Sequence, residues 1–494
     1  MLTRFKKHIL PLSLVLGTVA LAGCGGSSKS NVAPIVTGAS SPTIEENTTS
    51  VGTYSATDAD GDAIVLSLTG DSSGLFSITQ SGELSFMDAP DFDSGEVGPF
   101  AVTIVATDDS KKNLTGELAI QVSVGDVKDT PSFAVVQTVA PDFSGSEVVT
   151  LDPITEQVTK GYYIKDASDY TVRSYNKDVF HIGRYNIDSI SKYNADALDT
   201  EVWSYTTQDT GDSNTRNPYD LVSVNESKAY LLRYGSDKVW IVNPQATQFE
   251  DFKLGQLDLS SYIADNNSNG TPNPASATIA DGKLFIAMQR LSDSFSPNTA
   301  YVAVFDTATD QEIETNADAN DNLKGIPLQG LNPLGHSIMS QGDTVYVTTR
   351  NSYSSSDLTL SRIEAIATSD YNLSSVLSAA DIENNTGAFI GSSVVVSETK
   401  GYFVASETFF TPSYYELSTV YTFNPTTGII ANEKVAATGT EQISYIALDA
   451  ANFLWLSVSN PEKPGVDVIN TETNLKAFPR LATELNPSAI AFID

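Results

Sequence analysis

From about residue 32 onward, apolar and polar residues alternate in short runs bounded by Gly, Asp, Asn and Ser, the period of half-buried strands rather than of helices. Ile64 to Leu68, Phe100 to Val105 and Leu118 to Val124 are such runs in the first part of the chain. Later the runs recur as a unit. Asn217-Pro218, Asn273-Pro274, Asn332-Pro333 and Asn486-Pro487 each open onto an apolar strand, at separations of 56, 59 and 154 residues. Inside a unit comes a second strand, such as Ala229 to Leu232, Leu284 to Ala287, Val345 to Thr348, Gly401 to Val404 or Leu454 to Ser457. A third strand ends in a turn, as in Val239 to Pro244, Val304 to Thr309, Val420 to Pro425 and Val466 to Thr471.

These patterns predict an all-β protein. Residues 32–131 read as a Greek-key sandwich of about seven strands. Residues 132–494 read as a repeat of three or four strands without helices, the signature of a β-propeller. Units begin near 170, 217, 273, 332, 388 and 442. A seventh is expected to be split, with Phe133 to Val139 and Val148 to Tyr163 as outer strands and Asn486 to Asp494 as the innermost, so that the chain ends close the ring. The units resemble those of seven-bladed propellers with a Tyr-Val-Thr-Asn type repeat, a bacterial surface family without one shared activity.

The amino terminus departs from the strand pattern. Arg4, Lys6 and Lys7 precede an apolar run from Ile9 to about Leu21, the layout of a secretory signal. Leu21-Ala22-Gly23-Cys24 follows and holds the chain's single Cys. It resembles the bacterial lipobox, which implies that residues 1–23 are removed and Cys24 is acylated. Multiple acyl chains anchor a protein stably. Gly25, rather than Asp, follows the Cys, and the resemblance then implies the outer membrane. Residues 24–31, Gly- and Ser-rich, read as a lipidated Cys and flexible tether.

Composition narrows the chemistry. Against 61 Asp and Glu stand 28 Lys and Arg, a formal charge of -33. Binding to nucleic acid is thereby disfavoured, because affinity for phosphates comes from Lys and Arg. One Cys and three His exclude an internal disulfide and a Cys-based zinc site, and disfavour a multi-His metalloenzyme.

The acidic residues of 32–131 fall between strands, in Glu45-Glu46-Asn47, Asp58-Ala59-Asp60-Gly61-Asp62, Asp91-Phe92-Asp93, Ala106-Thr107-Asp108 and Asp126 to Pro131. Such carboxylates are either ordinary turn formers or ligands for a hard cation. Their order resembles one cadherin repeat, with Asp93 where that family usually has Glu and Lys128 in place of a linker Asn. The resemblance implies calcium. Glu46, Asp93, Asp126 and Asp129 would hold it at one end of the sandwich; Asp58, Asp60 and Asp108 would hold it at the other.

Nine Arg occur in the chain, and Arg184, Arg233, Arg290 and Arg350 end the second strands of four successive units. Their equivalence predicts one face around a central channel, shared with His336 of Asn332-Pro333-Leu334-Gly335-His336. Such a ring suits an anionic ligand; the alternative is that each Arg pairs with an acidic loop residue of the next unit. Asp265 to Gly270 fits half of a calcium loop but lacks its closing Glu, as does the weaker Asp318, Asn320, Asp321 set, so polar loops are expected there. No nucleophile elbow, phosphate loop or zinc His pair is present, and His181, in an alternating strand, reads as a packed residue. The expectation is a non-enzymatic outer-membrane lipoprotein, facing the cell surface or the periplasm, with a calcium-binding module and a propeller for cell adhesion or for recognition of a surface protein, a glycan or a small anionic ligand. The alternative is a ligand-capturing accessory of an outer-membrane uptake receptor; a propeller hydrolase is third.

Overall fold

A computed structural model describes residues 30–493 except 47, 91–95, 126–129, 316–321, 354–358, 410, 412–414 and 436–437. The signal segment and Cys24 lie outside the described residues. The chain divides into two compact units, Met1–Val127 and Lys128–Asp494. Among the described residues no helix is long and apolar enough to cross a membrane.

In the first unit, one sheet orders Thr43–Glu45, Thr115–Gly125, Phe100–Asp108 and Ile64–Thr69. Its first pair is parallel and the others antiparallel. A second sheet orders Ser50–Thr53, Glu83–Phe86 and Phe76–Ile78, and a short ladder joins Ile35–Thr37 to Ser55–Thr57. Strand alternation sets which side is dry. Ile120, Val122 and Val124 turn inward and meet Leu84 and Phe86 of the facing sheet, while Glu117, Ala119, Gln121 and Ser123 stay wetter.

The second unit is a ring of seven antiparallel sheets, six of four strands and one, the sixth blade, of five. Six blades begin at their innermost strands, which are Tyr170–Tyr175, Pro218–Asn225, Pro274–Ala280, Ile338–Gln341, Phe389–Ser397 and Gln442–Leu448. The closing blade is split as the sequence predicts. Asn486–Ile493 is innermost and pairs with Phe133–Val139, followed outward by Ser146–Asp152 and Gln157–Lys165. Innermost strands touch their neighbours all the way round, and Asn486–Ile493 meets those of both the first and the sixth blade. A separate apolar cluster fills each of the seven seams between blades. Second strands are dry on both faces, as in Lys283–Met288, where Leu284 to Met288 are wholly buried.

The Asn-Pro corners have a local cause. Asn217, Asn273 and Asn332 take φ of 48°, 57° and 60°, a left-handed region that Asn tolerates better than most residues. The fourth blade departs from expectation, because its inner strand starts at Ile338 rather than directly at the corner. His336 also takes φ 60°, which breaks the extended run and makes 334–337 a loop over the channel.

His181 lies at the closing seam. It stacks on Tyr170 at 4.5 Å, and its Nε2 is 3.0 Å from Gln137 Oε1 of the closing blade. Burial, aided by Lys165, pushes its pKa down to about 3. The folded protein therefore holds it neutral, while the unfolded chain takes up a proton below its ordinary value of about 6.5. Stability from this site is fully present above that value and declines as pH falls toward the folded pKa, by about 1.4 kcal/mol per pH unit. Urea unfolding at pH 7 and pH 5 should show this decline in the wild type and a smaller one in His181→Gln.

Candidate functional site

The corners that open the inner strands and the ends of the second strands share one face of the ring, since Pro218 pairs with Arg233 and Pro274 with Met288. Arg184, Arg233, Arg290 and Arg350 all end on that face, but the structure does not gather their side chains around the channel. Arg233 is 1% exposed and turned into the seam region beside Trp240, 4.4 Å from the ring centroid. It pairs with Asp209 at 3.0 Å and Asp212 at 3.4 Å. Arg290 donates to the carbonyls of Tyr262 and Thr299. Arg184 is held by Asp169 at 2.5 Å, and Arg350 lies over the Phe389 ring. The ring of Arg is thus replaced by local partners, and the acidic loops supply several of them.

Electrostatics explain the pairing. Burial drags the pKa of Arg233 downward and the two carboxylates oppose it. Burial would raise Asp209, but Lys253 and Arg233 outweigh it; Arg216, bonded to Asp212, leads in holding that carboxyl low. An Arg buried among carboxylates is costly to remove, because the carboxylates remain.

The residue that does face the channel is Arg173, in the first inner strand. Its Nε donates to Asp220 Oδ1 at 2.5 Å and its Nη1 to the Val172 carbonyl at 2.7 Å. Nη2 lies 2.7 Å from His336 Nδ1. Guanidinium can only donate, so His336 accepts there and is neutral. Burial, then Arg173 and Arg184, hold the His336 pKa well below the usual value. Tyr445 meets His336 edge to face at 4.7 Å, and burial raises its hydroxyl pKa. Positively strained backbone at His336 and a close approach at Gly335 put the imidazole there; a Cβ on Gly335 would stand 3.0 Å from the Tyr219 ring.

Two cavities meet at this cluster, and a third adjoins the second of them. The channel proper, about 410 Å³, is lined by Arg173, Asp220, His336 and Tyr445 and by the hydroxyls of Ser174, Ser223, Ser276, Thr278 and Ser393. A second, about 230 Å³, shares His336 and Tyr445 as its wall and includes Arg350. A third, about 330 Å³, shares Gln442 and Ser444 with the second and reaches Arg184, Asp169 and Phe143 at the rim. At the mouth, Arg184 sits 5.1 Å over Tyr219, which stacks on Tyr234 at 4.9 Å. Of the predicted set, His336 lies at the centre and Arg184 and Arg350 line the approach, whereas Arg233 and Arg290 line none of these cavities. Arg173, Asp220 and Tyr445 were not singled out from the sequence. Their one signal was position, because each falls within the first residues of an inner strand, where alternate side chains point to the axis.

In the sandwich, Asp58, Asp62 and Asp108 bring carboxylate oxygens within 4.8 Å of one another. Asp62 takes the place expected for Asp60, whose Oδ2 instead accepts from the Val32 amide at 2.8 Å. Asp58 Oδ1 caps the turn by accepting from the amides of Asp60 and Gly61, while Oδ2 is buried without a hydrogen-bond partner among the described residues. Asp108 accepts from Asn31 Nδ2 at 2.6 Å. Burial and the neighbouring carboxylates Asp58 and Asp108 raise the pKa of Asp62. Of the other end, Glu46 is buried, and Asp93, Asp126 and Asp129 lie outside the described residues. The Asp265 to Gly270 loop is tied down by Asn267, whose amide donates to the Leu291 carbonyl at 2.7 Å, as a polar loop would be. Asp318, Asn320 and Asp321 lie outside the described residues.

No family model matches the chain, and no curated protein sequence matches it. Solved structures do. A Bacteroides fragilis protein assigned as a 6-phosphogluconolactonase is 15% identical with a TM-score of 0.47, covering 75% of this chain and 100% of its own. AztD from Citrobacter koseri is 12% identical with a TM-score of 0.40, covering 73% and 98%. A streptogramin B lyase is 12% identical with a TM-score of 0.42, covering 67% and 93%. At these similarities no activity passes from them to this chain.

Because Arg233 acts through its carboxylate partners, Arg233→Ala should lower stability by about 3 kcal/mol, less than for an isolated pair since Lys253 and Arg216 still serve Asp209 and Asp212. Urea unfolding measures this; a loss below about 0.5 kcal/mol would show the pair to be energetically idle.

Proposed function

We propose that this protein is a lipid-anchored recognition protein of an outer membrane, in which a cadherin-like, calcium-binding sandwich carries a propeller that captures a small polar ligand in its central funnel. The observation that carries the reading is the Arg173–His336–Tyr445 cluster at the junction of two open cavities. A buried cation whose charge is offset by Asp220, a neutral imidazole and a phenol hold fixed donors and acceptors toward a cavity lined by hydroxyls. Pockets of that kind orient small molecules. The predicted ring of Arg argued for an anion; the offset charge of Arg173 argues for a ligand recognised by hydrogen bonds instead. Anchoring through Cys24 rests on the lipobox resemblance. A ligand-capturing accessory of an uptake receptor is the same chemistry put to a different use.

Calcium rests on the buried, unpartnered Asp58 Oδ2 among crowded carboxylates. A divalent cation would fill that oxygen's lone pair and offset the repulsion that raises Asp62. The partial set at the other end, Glu46, Asp93, Asp126 and Asp129, would bind a further ion by the same resemblance.

A propeller enzyme is the second reading. It is favoured by His336, whose Nδ1 accepts from Arg173 so that Nε2 carries the proton beside a phenol at the cavity wall, a pair of donors of the kind that stabilises a developing oxyanion.

Two experiments test the proposal. Calcium should raise the melting temperature of the full-length protein and a chelator should lower it. The change should shrink in Asp58→Asn/Asp108→Asn, which leaves the other end intact, and weaken as pH is lowered, since Asp62 gains its proton at higher pH than an ordinary Asp. For the funnel, native mass spectrometry of protein purified from its own cells should show a small molecule that is absent from Arg173→Met and His336→Ala; identical spectra for all three would end the funnel reading.

A further inference from the structure

Aromatic rings are distributed unevenly over the propeller. Among the described residues, its exposed Phe and Tyr include Phe143, Tyr185, Phe295, Tyr353 and Tyr415, at 72, 58, 68, 47 and 39% exposure. Each stands in, or at the edge of, the loop that joins the second and third strands of a different blade. Those loops all emerge on the face where the inner strands begin, because Val139 pairs with Asn486, Tyr170 with Gly183, Pro274 with Met288, Ile338 with Val347 and Phe389 with Ser406. The opposite face shows exposed aliphatic residues instead, Ile154, Ile429 and Leu475, with Phe249 as its aromatic exception.

Two of the rings are held at a conformational cost. Phe143 and Phe295 take φ of 59° and 60°, where bulky residues are outliers and Gly or Asn is the usual choice. In both, the backbone amide closes a turn onto the residue three before it, Ala140 and Ser292. A turn position suited to Gly thus carries a ring that packs against little and faces water. Such strain persists where the ring itself is needed.

We propose that these loop tips form a platform for a neutral, hydroxyl-rich polysaccharide, distinct from the small-molecule site in the funnel. The rings are set apart by Asp142 and Ser144, Asn186, Ser294 and Ser296, and Ser352, not merged into one apolar patch as a protein interface core would be. A flat ring flanked by short polar side chains suits a sugar, whose C–H face covers the ring while its hydroxyls exchange hydrogen bonds with the flanks. Charge favours the same occupant. In a chain of formal charge -33, acidic groups of this face are paired in place, Asp169 with Arg184, Asp209 with Arg233, Asp212 with Arg216 and Glu441 with Arg480. Asp142 and Asp293, beside two of the rings, accept from neutral donors instead, and with the acidic excess of the chain they repel an anionic polymer. Phe143 also lines the cavity that runs inward past Ser444, so the platform is continuous with the approach to the funnel.

The test is native gel electrophoresis of the full-length protein, in mild detergent, through gels cast with a β-glucan, a mannan or a galactan. At least one polymer should retard the wild type. Phe143→Asn/Phe295→Asn should weaken that retardation at least tenfold while leaving the melting temperature equal or higher, since Asn accepts the left-handed turn. Arg173→Met should leave retardation unchanged. Absence of retardation by every polymer, retardation indifferent to the two rings, or a lowered melting temperature in the double variant would each overturn the platform. Loss in Arg173→Met with none in the ring variant would also overturn it and place the sugar in the funnel, so this proposal fails separately from the funnel reading. Capture of a specific cell-surface protein that depends on the two rings, without retardation by any polymer, would replace the polysaccharide with a protein partner.

Discussion

Each blade of the propeller is a sheet with two apolar faces, and neither can be left to water. Second strands such as Leu284 to Met288 are buried throughout because a neighbouring blade covers them on both sides. One open seam would expose a full apolar face and an unpaired strand edge, so the ring has to close. Closure falls to Asn486–Ile493, which enters the sheet begun by Phe133–Val139 some 350 residues earlier in the chain. Ala134, Val136, Val149 and Leu151 pack with Trp455, Val466 and Val468 on one side of that blade. On the other side, Val135 and Val148 pack with Val172 and Val179. The contribution is non-local throughout, with a correspondingly large loop-closure cost before the contacts form.

The channel is a by-product of the same constraint. Seven innermost strands meet around an axis they are too numerous to fill, and the side chains that point inward must be satisfied without a core to bury them in. Small hydroxyl residues do so along most of the length. Arg173 does so by donating to Asp220, Val172 and His336, which fixes the imidazole as an acceptor. The constellation with most chemical potential thus arises where blades from distant parts of the chain converge.

Charge is organised by the same geometry. Acidic residues on the ring face are met by Arg at the ends of second strands, and Trp240 lies between Arg233 and Lys253, at 4.4 and 4.5 Å. That pairing offsets part of the acidic charge on the face where the aromatic loop tips stand. In the sandwich, burial and the carboxylates of Asp58 and Asp108 raise the pKa of Asp62, while hydrogen bonds from Ser110 and Asn31 hold that of Asp108 low.

The sequence by itself determined the strand periodicity, the six blade starts, the split seventh blade and the clustering of Asp on sandwich loops, because each is a local pattern of burial or turn chemistry. It also placed the Asn-Pro corners and the ends of second strands on one face, since antiparallel pairing requires that. Only the tertiary structure decided which way side chains at those positions turn. Arg233 ends a second strand and turns into a seam, where Asp209 and Asp212 meet it, whereas Arg173 lies in an inner strand and turns to the axis, where Asp220 of the next blade meets it. Asp62 likewise joins Asp58 and Asp108 in place of Asp60 because a turn, closed by amides on Asp58 Oδ1, rotates it inward. Position on a strand is written in the local pattern, whereas the partner a side chain finds is set by residues far away in the chain.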